Sequence, residues 1–179
     1  RLLCGDATRA DDVGRLAHHV THDAAACKAS RHARVQQLIT ADETSLIELE
    51  TLISTLPICS TGRVFVEVPD ASWIFDLRVP ARMIVTWLDR SQRSGDPGTG
   101  RACAPGQALA RAVTAWSAEM LCSGVAGPDA AGTCGGGTRI HLLGGFLGTA
   151  DIFDHLTDAL GVDAASIATP ARFGLATAH

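Results

Sequence analysis

Apolar residues recur along the chain with two alternating periods. Short β-branched runs predict strands at residues 35–40, 64–68, 83–88, 139–143 and, with a weaker pattern, 166–169. Apolar residues spaced three and four apart predict helices between these strands, at residues 46–56, 107–121 and 149–160. An Ala- and His-rich stretch predicts one more helix at residues 10–33. The pattern divides the chain into an N-terminal helical segment, 1–34, and a domain that spans 35–179.

Strands that alternate with amphipathic helices predict parallel pairing, because the connecting helices must cover both faces of the sheet. We therefore expect an α/β fold, a doubly wound, Rossmann-like parallel sheet of about five strands. Such sheets bind ligands beyond the carboxyl ends of their strands, where the strand order reverses. The stretches that follow the predicted strands are "ADETS", "EVPDAS", "LDRSQR" and "GGFLG".

Composition narrows the functional classes. The 179 residues are 46% hydrophobic, and the formal net charge is −4. No run reaches the ~18 apolar residues that a membrane span needs. The negative charge gives no general attraction to nucleic acid, so we expect neither a membrane nor a nucleic-acid partner. Six cysteines without C-x-x-C or zinc-ligand spacing indicate reduced thiols and a cytoplasmic protein.

The "ADETS" stretch opens the helix at 46–56 and has two interpretations. Thr40 with Glu43, or Ser45 with Glu48, fits a capping box, and Thr44 or Ser45 can also cap the helix alone. Alternatively, the helix N-terminus is an anion site beside carboxylates that accept hydrogen bonds from a ribose or an amide. Spacing alone favours plain capping.

The other stretches also leave alternatives open. "GGFLGTADIF" lacks the G-x-G-x-x-G spacing, so its glycines serve either close ligand approach or only a strand-to-helix turn. In "LDRSQR", Arg90 or Arg93 can hold a 2′-phosphate, although a solvated loop is the interpretation we favour. His18 and His22 lie four apart on one helix face, where packing is favoured over a shared metal. We predict no metal site.

Five stretches taken in order closely resemble the C-terminal domain of siderophore-interacting proteins. They read "ITADETSLIELETLISTLP", "GRVFVEVPDAS", "IVTWLDR", "APGQALARAV" and "IHLLGGFLGTADIFDHLTDALGVDAASIA". Members of that family are NADPH-dependent ferric-siderophore reductases of the ferredoxin-reductase-like superfamily. The resemblance covers roughly Val35 to the C-terminus and implies a domain like the NADP-binding domain of ferredoxin reductases.

The resemblance also implies cofactors, partners and a site. NADPH or NADH would bind this chain, and FAD would be held by a missing or partner domain. The implied partners are that flavin domain and a ferric siderophore. Four groups of residues would line the crevice, the first of them in the first turn, at the nicotinamide side. The implied site residues are Asp42, Glu43, Thr44 and Ser45 in the first turn, Pro69 and Asp70 at the border, Trp87, Asp89 and Arg90 near the adenosine phosphate, and Gly144, Gly145 and Phe146 after the fourth strand.

Two functions follow as hypotheses. In the first, the chain binds NAD(P)H and passes hydride to a flavin held elsewhere, for iron release. In the second, a non-catalytic interaction domain keeps the fold without binding a nucleotide, and docks a partner or forms a homodimer. Which residues would be catalytic stays unknown in either case.

Overall fold

A computed structural model describes residues 35–121 and 138–175 of the chain. The helix predicted at 10–33, with His18 and His22, lies outside the described residues, and the division at residue 34 stays a prediction. Among the residues described, no helix is both long enough and apolar enough to cross a membrane.

Five parallel strands form one sheet. They are β1 (Gln36–Asp42), β2 (Thr61–Val68), β3 (Arg82–Asp89), β4 (Thr138–Leu142) and β5 (Ile167–Ala168). Their order in the sheet is β3-β2-β1-β4-β5. β2 and β3 extend the sheet on one side of β1, and β4 and β5 extend it on the other side. This arrangement confirms the predicted α/β fold with a parallel sheet.

Three helices connect the strands. They are α1 (Leu46–Thr55), α2 (Gln107–Met120) and α3 (Phe146–Asp154), and a wider π-helical turn, His155–Ala159, continues α3. The helix predicted at 149–160 thus begins three residues earlier, directly after Gly145, whose backbone is extended. Short 3₁₀ turns lie at Ala71–Trp73, Arg90–Gln92, Ala164–Ser166 and Ala171–Phe173.

Neighbouring residues of β1 and β2 are buried in two separate cores, one on each face of the sheet. On β1, Ile39 is buried in the apolar cluster that contains α1, whereas its neighbour Leu38 is buried with α2 and α3. Both faces of β1 are covered, which is why its side chains read as a continuous apolar run. Helices on both faces confirm the doubly wound arrangement.

The first turns of α2 and α3 meet through two glycines. A Cβ added to Gly148 would lie 2.7 Å from the Cα of Gly106, and one added to Gly106 would lie 2.8 Å from the Cα of Gly148. Gly106 also has a φ of +84°, a conformation that glycine adopts without strain. The two helix N-termini can therefore lie side by side at the carboxyl edge of the sheet.

Candidate functional site

The strand order reverses between β1 and β4, so the predicted crevice lies between the ends of these two strands. Asp42 ends β1. The turn after β4 contains Gly144 and Gly145 and leads into α3. The sheet thus brings the "DETS" and "GGFLG" stretches together. The hydrogen bond that joins them connects Asp42 and Gly145, which are 103 positions apart in the sequence.

The carboxylate of Asp42 joins these two turns. Its Oδ1 accepts hydrogen bonds from the backbone N–H of Thr44 at 3.0 Å and from the Thr44 hydroxyl at 2.7 Å. Its Oδ2 accepts the backbone N–H of Gly145 at 2.5 Å. Asp42 therefore orders the first turn and holds the start of α3 against it.

The predicted capping of α1 by a side chain is wrong. Ser45 does occupy the N-cap position, but its hydroxyl makes no capping hydrogen bond. That hydroxyl is buried and turns back to the end of β1, where it accepts the Asp42 N–H at 2.9 Å. The Ser45 hydroxyl oxygen therefore accepts a hydrogen bond from the last residue of β1, and not from the backbone of α1.

Side chains in place of the glycines after β4 would be crowded. A Cβ on Gly145 would lie 3.0 Å from Asp42 Oδ2, and one on Gly144 would lie 3.3 Å from the Leu109 side chain. The Gly144 carbonyl accepts the hydroxyl of buried Thr149 at 3.1 Å, which fixes the turn against α3. These glycines therefore serve the close fit of the turn to its own surroundings.

A buried carboxylate that the sequence analysis missed lies at the end of β2. The Glu67 side chain has 0% exposure. Its Oε1 accepts the N–H of Gly106 at 2.7 Å, and its Oε2 accepts the N–H of Leu109 at 2.8 Å. Glu67 thus binds the N-terminus of α2, where two backbone donors and the helix dipole stabilise its negative charge. A charged residue inside the apolar "VFVEV" strand was the available signal.

Arg90, just after β3, links this buried carboxylate to the first turn. Its NH1 donates to Glu67 Oε1 at 3.0 Å, and its NH1 and NH2 donate to Glu43 Oε2 and Oε1 at 3.0 and 2.7 Å. Hydrogen bonding to Glu43, together with that to Glu67, raises the pKa of Arg90 above its ordinary value, although burial opposes this shift. Arg90 is therefore not the solvated loop residue that its sequence context favoured.

The remaining residues of the predicted site are divided between the crevice edge and the core. Asp89 accepts the Ser91 N–H at 2.8 Å and begins the turn after β3. The Pro69 carbonyl accepts the same N–H at 3.1 Å, so the ends of β2 and β3 are joined. Trp87 lies within β3, on the face covered by α1, with its ring 5.2 Å from that of Phe75.

Asp70, which was predicted to border the crevice, begins a short turn of its own after β2. It accepts the Ser72 N–H at 2.8 Å, and hydrogen bonding to Ser72 lowers the pKa of the Asp70 carboxyl. None of its hydrogen bonds reaches the Asp42 turn in the part of the chain that the structure describes. Asp70 is therefore a local turn residue at the far side of the edge.

Aromatic rings flank the start of α3. Phe146 is 49% exposed, and its ring meets that of Phe173 edge-on, with 5.4 Å between centroids. The Arg172 guanidinium lies 4.8 Å from the centre of the Phe173 ring and 3.7 Å from Glu48 of α1. The segment after β5 thus lies beside the crevice between β1 and β4.

The described residues around the crevice offer groups for binding a ligand. Backbone N–H groups of the first turn of α3 lie at the crevice, and Arg90 supplies a cation near the ends of β2 and β3. Carboxylates already occupy the Gly145 N–H and the guanidinium of Arg90. This chemistry suits binding and orientation of a polar ligand.

Comparisons with known proteins agree with this architecture. Residues 34–169 match the family model of siderophore-interacting proteins. No curated protein matches the chain. Two solved structures share the fold. The siderophore-interacting protein SipS of Aeromonas hydrophila is 16% identical, with a TM-score of 0.52 over 76% of this chain and 45% of that one.

The second is a siderophore utilization protein from T. fusca, which is 23% identical, with a TM-score of 0.51 over 77% of this chain and 44% of that one. The chain thus spans less than half the length of these two proteins. Since the family model covers most of the chain, the chain belongs to the siderophore-interacting protein family.

Proposed function

We propose that this chain is the NAD(P)H-binding module of a siderophore-interacting protein. It holds the nicotinamide dinucleotide so that hydride passes to a flavin bound elsewhere, from which electrons reduce a ferric siderophore and release iron. The observation that carries the proposal is the Gly144–Gly145 turn at the reversal of strand order, held in place by Asp42. Sheets of this kind bind dinucleotides at that point.

The residues present at the crevice fit a dinucleotide diphosphate. Gly144 and Gly145 fit closely against Leu109 and Asp42, and this fit holds the start of α3 at the crevice. Asp42 takes the Gly145 N–H, and the next first-turn donors belong to Phe146 and Leu147, whose side chains are 49% and 71% exposed. These N–H groups have no partner within the helix, and the helix dipole favours an anion there.

Arg90 is the residue we assign to the adenosine end. In dinucleotide-binding sheets an arginine near the ribose accommodates a 2′-phosphate, and Arg90 supplies a cation at the ends of β2 and β3. FAD, in this proposal, is held by a missing or partner domain, because the two similar structures are more than twice the matched length. The chain's own contribution is to bind and orient the nicotinamide dinucleotide.

Calorimetric titration of the purified chain with NADPH and NADH, with and without added FAD, tests the proposal. We expect dissociation constants in the range of ~1 μM to 1 mM, as for ordinary substrates. Arg90→Lys keeps the charge beside Glu67 but loses the planar fork, so it should weaken NADPH binding more than NADH binding. If the melting temperature is kept and NADPH affinity is unchanged, the phosphate assignment is wrong.

One observation favours the second candidate function. The chain's own carboxylates already occupy two of the donors that a dinucleotide needs, the Gly145 N–H and the Arg90 guanidinium. A domain that has lost nucleotide binding and serves only to dock a partner or a second copy is the alternative. Absence of binding to either nucleotide, together with a defined oligomer in sedimentation, would establish that alternative.

A further inference from the structure

A carboxylate of the chain already occupies the pair of donors at the end of the Arg90 guanidinium. The edge formed by NH1 and NH2 is bonded in parallel to both oxygens of Glu43, at 3.0 and 2.7 Å. The second hydrogen of NH1 goes to Glu67 at 3.0 Å. Of the five donors of a guanidinium, only those on Nε and one on NH2 stay outside these pairs. A phosphate that binds NH1 and NH2 of Arg90 together would therefore have to replace Glu43.

The two carboxylates hold Arg90 differently. Glu67 is fully buried and also binds two backbone N–H groups of α2, so it is part of the helix start. The Glu43 side chain is 21% exposed, and in residues 35–121 and 138–175 its carboxylate has no hydrogen-bond partner besides Arg90. Glu67 is thus a fixed anchor for Arg90, and Glu43 is a partner that can swing away.

We infer that Glu43 determines the nucleotide specificity of the crevice by competing with a 2′-phosphate for Arg90. The inference rests on the proposed nucleotide binding. A nucleotide with a 2′-phosphate must displace Glu43 from the guanidinium or bind beside it, and both place like charges close together. A nucleotide with a free 2′-hydroxyl carries no such penalty. Glu43 therefore lowers the preference for NADPH over NADH, a repulsive element of specificity.

The test isolates the 2′-phosphate from the nicotinamide. Adenosine 2′,5′-bisphosphate and 5′-AMP are titrated into the wild-type chain and into Glu43→Gln, which keeps an acceptor for Arg90 but removes the charge. We expect the variant to bind the bisphosphate about tenfold more tightly, and 5′-AMP with less than about a twofold change. Glu50→Gln, an exposed change on α1 with the same loss of charge, is the matched control and should alter neither affinity.

The double variant Glu43→Gln with Arg90→Lys shows whether the gain passes through the guanidinium. The gain from Glu43→Gln should shrink in the Arg90→Lys background, because lysine keeps the charge but lacks the planar fork for which Glu43 and the phosphate compete. Melting temperatures establish that each variant is folded.

Three results would overturn the inference. Equal tightening of both ligands, or an equal gain in Glu50→Gln, would mean that net charge alone is responsible. An unchanged ratio in a chain that still binds NADPH would remove the role of Glu43 and leave the proposed function standing. Failure of every variant to bind any of these nucleotides would overturn both together.

Discussion

Replacing Glu67 by glutamine tests whether the carboxyl edge is built around a buried charge. The carboxylate has 0% exposure and accepts hydrogen bonds from Arg90, Gly106 and Leu109. A glutamine has only one acceptor oxygen for these three donors. Its NH₂ group would also place further N–H donors against them. The partly buried guanidinium of Arg90 also loses the full negative charge of Glu67.

The cost can be estimated from these contacts. A hydrogen bond to a charged group contributes ~1.5–3 kcal/mol, and breaking a buried ion pair costs ~3–5 kcal/mol. Glu43 remains on Arg90 and compensates in part, so we expect Glu67→Gln to lower the free energy of unfolding by about 3 kcal/mol. For a chain of this length that corresponds to a melting temperature lower by about 6–12 °C.

Circular dichroism melting and urea unfolding measure the loss, with Glu50→Gln as the matched surface control. The control should stay within about 0.5 kcal/mol of the wild type. Amide hydrogen exchange adds a local measure, because the Leu109 N–H should exchange faster once its acceptor is lost. A melting temperature for Glu67→Gln within about 2 °C of the control would refute the buried-charge reasoning.

Two further changes test the fold around the crevice. Gly148→Ala places a Cβ 2.7 Å from the Cα of Gly106, so we expect an overpacking cost of about 1–3 kcal/mol in urea unfolding. This cost should exceed the ~1 kcal/mol that alanine gains over glycine within a helix. A more stable variant would contradict the close contact between the two helices. Burial, and then the charge of Arg139, lower the pKa of His141, so the unfolded chain binds more protons and stability falls as pH drops below about 6.5. His141→Gln should show a smaller fall in melting temperature between pH 7.5 and 5.5, and an unchanged fall would show that this histidine stays as accessible to protons as in the unfolded chain.

The strands could be predicted because parallel strands buried on both faces leave an unbroken apolar run. β1 and β2 are of this kind, and α1 between them shows its buried stripe in the spacing of its leucines. The start of α3 was less visible. Its first residues, Phe146 and Leu147, are apolar yet exposed, so they do not follow the period of a buried helix face.

The site was harder to predict than the fold, because its contacts join distant parts of the chain. The first-turn residues Asp42 to Ser45 were found as a group, but the partner of Asp42 is 103 positions away at Gly145. Glu67 is bonded to residues 39 and 42 positions further along, at the start of α2. Local spacing shows which residues are polar, but not which helix start will face them.

The fate of Ser45 illustrates the same limit. Ser at a helix start ordinarily predicts a cap, and the position was right. The hydroxyl instead accepts the N–H of Asp42, the last residue of β1, and donates to the Asp42 carbonyl and carboxylate oxygens. The spacing of residues along the sequence does not show whether the Ser45 hydroxyl will bond to the backbone of α1 or to that of Asp42.

The most direct measurement is a backbone amide NMR titration of the labelled chain with NADPH. If the crevice between β1 and β4 binds the dinucleotide, the amide signals of Thr44, Gly145 and Phe146 should shift in a saturable manner. Signals around exposed Ile58, at the far end of α1, should stay in place and serve as the internal control. Absence of shifts at the Gly145 turn, or saturable shifts confined to residues around Ile58, would contradict dinucleotide binding at this site.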